Sequence, residues 1–453
     1  MDKTNFKSRA VLKLNKTDLS RDAFGATQEK WKIVSLPIST AESADQNLLD
    51  LEWLYPLLNE VEALTLRNEL NFESGPVRSY MEGVLKASKS LKSLCLDPML
   101  LDSLETNVLE PCRDVLSKLK ELEVSGFQGR PLSTFHLERQ KKSIEGLASV
   151  VTNVTALKVS AVVPEHLDTI FEEVDEDVLS KMGHFMELID KNKGHLQSLE
   201  LEDMPFWSKT DASDVVFITN QVFPVLKKVK IRASQIDGKN VQHFLRSQPG
   251  LEEIDITVLN QFPNDLLKTI REKGESLKKL KIKTKGFERL EDNMWKCLSD
   301  LNLETFSLNL IQSNKYSLNS DYPAAVFANL PSSIRQIHLR GLPLTDGESG
   351  LTSADFANIN PIILTKLDLS QCGNIVTDAT VEFICRNLHM LQDLNLSNAD
   401  YRCTDYGFIG IRPEQEPGMS SFSISNLKGK LCSSWRPSSR SKYFVKFFNI
   451  FMV

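Results

Sequence analysis

Apolar residues recur along this chain at the first, fourth and sixth places of a short window, with mostly polar residues between them. Thirteen such windows open at Trp31, Val61, Leu91, Leu119, Val154, Leu196, Leu226, Leu251, Leu277, Leu303, Ile334, Leu364 and Leu391. Leu91, Leu94 and Leu96 form one example; Leu251, Ile254 and Ile256 form another. With 41% of residues hydrophobic, chance supplies about 30 windows, so a single match carries nothing. The spacing decides it: successive starts lie 25 to 42 residues apart and most lie near 30. Within each window the alternation predicts a short strand with one buried face.

The segments between windows predict helices. Over 238–246, Val241, Phe244 and Leu245 share one helical face. Over 263–270, Leu266, Leu267 and Ile270 do the same. Thr377 and Asp378 can cap a helix whose apolar stripe is Val381, Ile384, Cys385 and Leu388. A strand followed by a helix, repeated at this period, predicts an α/β leucine-rich-repeat solenoid. In that horseshoe, short parallel strands line the concave face and helices the convex face. A doubly wound sheet needs continuously apolar strands, and these are half polar.

The expected organisation has three parts. Residues 1–30 form a partial repeat, with 11–14 as an incomplete strand. Residues 31–410 form the solenoid, of about thirteen repeats. Residues 411–453 form an irregular tail, introduced by the helix-stopping prolines Pro413 and Pro417. Within the tail, 427–432 departs from the repeat window. The longest step, from Val154 to Leu196, contains an acidic run over 172–177, read as a solvated segment or a docking loop. Segments 39–48 and 346–350 read as loops.

Composition narrows the function classes. Net charge is −6 and the pI is about 5.8, without the basic excess of a general nucleic-acid binder. The seven cysteines are scattered and never form a CxxC pair, which favours a reducing, intracellular site, cytoplasmic or nuclear. No stretch approaches the roughly 20 apolar residues of a membrane span.

The region 364–408 carries a more specific pattern. A strand through Leu367, Leu369 and Ser370 ends at Cys372; Val376, Thr377 and Asp378 then lead into a helix and the next window. This resembles the cysteine-containing repeat of F-box/leucine-rich-repeat proteins, the substrate receptors of SCF ubiquitin ligases. Residues 423–429 also resemble a segment linking repeats in some of them. The resemblance implies a protein-binding scaffold rather than an enzyme, with no cofactor and no metal. It implies the Skp adaptor and cullin as partners if a longer isoform carries an F-box. No F-box is visible: residues 1–30 lack its opening Leu-Pro and its Cys-x-x-Trp ending, so the chain reads as a truncated product or an alternative isoform. Only Cys372 stands at the expected turn. Elsewhere Met99, Phe127, Met204, Ser234 and Leu342 take its place, so a ladder of buried polar side chains is expected to be mostly missing. The alternative is a ligase-independent scaffold or inhibitor similar to ribonuclease-inhibitor-like proteins.

In such repeats the third, fifth and seventh places face the concave surface. The rows are then Ser198, Glu200 and Glu202; Lys228, Lys230 and Arg232; Glu253, Asp255 and Thr257; Lys279, Lys281 and Lys283; Thr305, Ser307 and Asn309; and Gln336, His338 and Arg340. Charge sign alternates over the first four rows. Side-by-side pairing of Glu200, Lys230, Asp255 and Lys281 accounts for this, and so does a recognition stripe for a charged peptide or degron. The seven histidines show no metal-ligand spacing, and no Walker, GxGxxG or GxSxG motif occurs. His338 reads as a solvated surface residue, Cys372 as a packed turn residue and Cys385 as core. Trp53, Trp207 and Trp295 read as packing residues.

Overall fold

The computed structural model describes residues 11–13, 33–38, 55–68, 75–101, 104, 106–126, 134–161, 185–202, 218, 220–233, 236–287, 295–311, 322–342, 351, 354–372, 376–396 and 430–431. The acidic run, the loops over 39–48 and 346–350, and most of the tail lie outside them. The chain divides into two compact units: Met1–Ile231 with Ser247–Gly250, and Arg232–Arg246 with Leu251–Val453.

The first unit carries strands β1 (Val11–Lys13), β2 (Ile33–Ile38), β3 (Ala63–Asn68), β4 (Ser93–Leu96), β5 (Glu121–Gly126), β6 (Ala156–Ala161), β7 (Ser198–Glu202) and most of β8 (Lys228–Ala233). From β1 to β7, each strand pairs in parallel with the one before it in sequence. The second unit repeats this with β9 (Glu253–Phe262), β10 (Lys279–Phe287), β11 (Thr305–Leu310), β12 (Gln336–Arg340), β13 (Lys366–Asp368), β14 (Asp393–Asn395) and β15 (Lys430–Leu431). Each unit is a leucine-rich-repeat stack. From β2 to β14, every strand opens two residues after the window start read from the sequence. In β15, Lys430 and Leu431 pair with Asp393 and Leu394 although 427–432 does not fit the window. Backbone pairing does not require the apolar spacing.

The three apolar places are the core. From Val61 to Leu391 the first-place residues are at most 2% exposed. The fourth and sixth places, such as Leu199 and Leu201 or Leu280 and Ile282, are closed equally well. A main-chain device fixes the register. The carbonyl of the second-place residue accepts two N–H groups from the following repeat. Lys92 and Ser93 donate to Glu62, Gln197 and Ser198 to Thr155, Glu304 and Thr305 to Lys278, and Gln392 and Asp393 to Thr365, all at 2.8–3.1 Å.

Helices close the other side of the strands. The longer ones are α1 (Gly75–Ala87), α2 (Thr134–Val150), α3 (Gly238–Ser247), α4 (Asn264–Arg271), α5 (Tyr322–Ala328) and α6 (Asp378–Asn387). α3, α4 and α6 bury the stripes expected of them. Thr377 caps α6 through a reciprocal box with Thr380. The expectation of a full helix in each repeat needs correction. Pro98–Leu101, Thr106–Leu109, Arg113–Leu116 and Lys296–Ser299 are single turns. A single turn carrying two apolar residues already covers the leucines beneath it.

Polar side chains tie repeats together at the turn before a strand. Buried Asn192 donates to the Val151 and Leu188 carbonyls and accepts from the Val154 amide. Gln248 accepts from the Phe223 amide and donates to the Gln221 carbonyl. In the second unit Ser276 and Ser333 donate to the Leu251 and Leu303 carbonyls. Cys372, fully buried, donates to the Leu339 carbonyl at 3.1 Å.

Gly341 follows β12 with φ +66°, and a Cβ there would strike the Leu310 carbonyl. Gly274 also has a positive φ, +44°, but open space around it. Gly341→Ala should therefore cost well over the roughly 1 kcal/mol expected of Gly274→Ala. Urea unfolding midpoints of the two variants check this, and equal losses would contradict it.

Candidate binding face

One face of each strand is sealed by leucines, so the alternate side chains point to the other, open face. The structure places every sequence-predicted site residue on that alternation. Glu200, Glu202, Lys228, Lys230, Glu253, Asp255, Lys281 and His338 are half-buried, whereas Arg232, Lys279, Lys283 and Arg340 are exposed. Thr257 and Thr305, from the same rows, are buried at 8% and 7% exposure.

In the first unit the open face carries a ladder of ion pairs. Lys158 on β6 lies 2.9 Å from Glu123 on β5 and 3.3 Å from Glu202 on β7. Lys230 on β8 bonds Glu200 and, at 2.9 Å, Glu202. Partial burial disfavours the charged form of Lys158, but bonding to Glu123 and the charges of Glu123, Glu202 and Glu200 outweigh it and raise its pKa. The Lys230 amine is raised in the same way, against burial, by Glu200 and Glu202. Burial pushes the Glu202 carboxyl up, but Lys230 and Lys158 hold it below its ordinary value.

In the second unit Lys281 on β10 lies 3.0 Å from Glu253 and 3.9 Å from Asp255 on β9. Lys279 is 3.8 Å from Glu253. Farther along, Asp368 on β13 has only 2% of its side chain exposed. It accepts from Arg340 Nε at 2.9 Å and from the Ser370 amide at 3.0 Å, and faces His338 Nδ1 at 3.6 Å. Burial opposes ionisation of Asp368, yet the bonds from His338, Arg340 and Ser370 prevail and hold its carboxyl far below the usual carboxylate range. Lys366 and Asp393 pair at 2.6 Å.

Glu123, Lys158 and Asp368 belong to this face and were missed in the sequence reading. The same window rule places all three at the fifth place, so extending the rows to Leu119, Val154 and Leu364 would have found them. His338 is corrected from a solvated residue to a half-buried partner of Asp368, because β13 brings a carboxylate alongside it.

No group of three or more His, Cys, Asp or Glu side chains among the described residues is placed to hold a metal ion. Burial raises the thiols of Cys112, Cys297 and Cys385 to about 11 and that of Cys372 to about 12, so none supplies a thiolate near neutral pH. No helix among the described residues is long and apolar enough to cross a membrane.

No protein-family model matches the chain, and no curated protein matches it. Among solved structures it is similar to the Rad7 and Elc1 complex of yeast, with 12% identity, a TM-score of 0.45, and coverage of 79% of this chain and 82% of that one. It is also similar to the leucine-rich repeat-containing protein LegL7 of Legionella pneumophila, with 13% identity, a TM-score of 0.41, and coverage of 68% and 90%.

A carboxylate with a depressed pKa contributes stability that is complete above the ordinary carboxylate range and lost as pH falls below it. Asp368→Asn should therefore destabilise the chain at pH 7 by about 2 kcal/mol, through lost charge-assisted bonds. The gap between wild type and variant should narrow as pH falls below about 4. Thermal unfolding between pH 7 and pH 2 measures it; a gap of constant size would contradict a role for the charge.

Proposed function

We propose that the chain is a protein-binding scaffold, similar to the substrate-recognition part of an SCF-type ubiquitin ligase receptor, and that its partner seats on the open face of the strands. One observation carries the reading. The face opposite the leucine core bears rows of charged side chains joined by partly exposed ion pairs, Lys158 and Lys230 with Glu123, Glu200 and Glu202 in one unit and Lys281 with Glu253 and Asp255 in the other. Such pairs contribute at most about 1 kcal/mol each, so they exchange readily for a partner's charges while the core stays intact. The ligase part rests on the pattern around Cys372 and Thr377, and the absence of enzymatic chemistry is part of the same proposal.

The test exchanges charges without removing the pairs. Glu123→Lys, Glu200→Lys and Glu202→Lys combined with Lys158→Glu and Lys230→Glu keep opposite signs adjacent but invert the displayed pattern. Affinity purification of the chain within its longest isoform should recover a client protein and, where that isoform carries an F-box, the Skp adaptor and cullin with it. The inverted variant should fold, keep the ligase subunits and lose the client. A client recovered without ligase subunits would replace the ligase reading with a ligase-independent scaffold. A client that still binds the inverted variant would overturn the assignment of the open face.

A further inference from the structure

β9 and β10 are ten and nine residues long, whereas the other strands of their unit have two to six. The pairing shifts register between Thr284 and Gly286: two residues of β10 span three of β9, from Val258 to Gln261. Fully buried Thr284 holds the irregularity, with its hydroxyl donating to the Gly286 carbonyl at 2.7 Å and accepting from the Gly286 amide at 3.2 Å. Beneath the extension, Phe262, Phe287, Trp295 and Phe306 pack with successive ring centroids 5.4–6.4 Å apart. The extension is therefore a braced platform rather than a fraying strand end.

Its open side displays four lysines in alternation: Lys279, Lys281, Lys283 and Lys285. The first two lie within ion-pair distance of Glu253 and Asp255. Lys283 and Lys285 are exposed, and neither has an ion pair with a carboxylate among the described residues. Lys283 lies between Thr257 on β9 and Asn309 on β11, both uncharged. The row is thus neutralised at one end and basic at the other.

We propose that the β10 lysine row seats an extended acidic segment of a partner protein, whose carboxylates are held by Lys283 and Lys285. This rests on the open face being the partner-binding surface and adds the partner's chemistry. Alternate side chains on a strand are about 6.6 Å apart, and an extended peptide has the same period. Carboxylates at every second residue of such a segment meet successive lysines. Asn309 and Ser307 on β11 lie beside the row, where they can bond the segment's backbone. A nucleic-acid strand fits less well. Glu253 and Asp255 oppose a continuing phosphate chain, and Thr257 and Asn309 offer no aromatic surface for bases.

The test is fluorescence anisotropy of a labelled decapeptide alternating Glu and Thr, titrated with the full chain. Saturable binding is expected at about 50 mM salt and should be largely lost near 500 mM. Lys283→Gln with Lys285→Gln should weaken binding about tenfold, while Lys268→Gln on α4 leaves it unchanged. Circular dichroism confirms that the variants fold. No saturable binding by wild type, or undiminished binding by the double variant, would overturn the proposal. So would tighter binding of a poly-dT probe that the same double variant loses, which would assign the row to nucleic acid. None of these results touches the client experiment with Glu200 and Lys230, which reads other residues, so the two readings fail separately.

Discussion

Each repeat presents apolar side chains that it cannot cover by itself, and covering them is the constraint on which the rest of the structure depends. Leu251, Ile254 and Ile256 of one repeat, and Leu277, Leu280 and Ile282 of the next, are all at most 1% exposed. Stacking is the only way to reach that burial with strands this short. Fully burying one such side chain is worth about 1.5–3 kcal/mol, and every repeat supplies at least three. The shared second-place carbonyl then fixes the offset between neighbours without any demand on side chains. Helix length follows the same logic: where a single turn such as Lys296–Ser299 closes the layer with Cys297 and Leu298, no longer helix forms.

The period of two in a strand separates the roles of its residues. The face that carries stability is committed to leucine-like side chains, and the other face is left to vary. On that face acids and bases sit within reach of one another, as Lys158, Lys230 and Lys281 do with their carboxylates. Asp368 is the exception that has become structural, because burial makes its bonds with Arg340 and Ser370 costly to break. Lys283 and Lys285 are the opposite case, exposed on a braced strand.

The strands were legible because their signal is short-range. Thirteen windows preceded thirteen strands by a constant two residues, from Trp31 and β2 to Leu391 and β14. The capped helix at Thr377 and the buried turn thiol of Cys372 were legible for the same local reasons. What escaped depends on contacts between residues distant in sequence. Nothing around Asn192 or Gln248 marks either amide as a tether to a repeat 38 or 25 residues earlier. The extension of β9 and β10 arises from Thr284 and the aromatic layer beneath it, which no six-residue window contains. The charged rows were legible as positions. Their pairing was legible in part: the expected pairs of Lys230 with Glu200 and of Lys281 with Asp255 form, whereas those with Glu202 and Glu253 were missed, because a lysine at the fifth place also reaches carboxylates at the third or seventh place of its neighbour.

The account turns on the division between the two faces of each strand, and β9 and β10 allow one direct measurement of it. Urea unfolding compares Leu280→Ala with the triple variant Glu253→Gln, Asp255→Asn and Lys281→Met. Emptying the Leu280 site should cost about 2–5 kcal/mol. Neutralising the three charged residues together should cost about 1 kcal/mol or less, since partly exposed ion pairs contribute little. A triple variant destabilised as much as Leu280→Ala would contradict the account, because the open face would then be part of what holds the stack together.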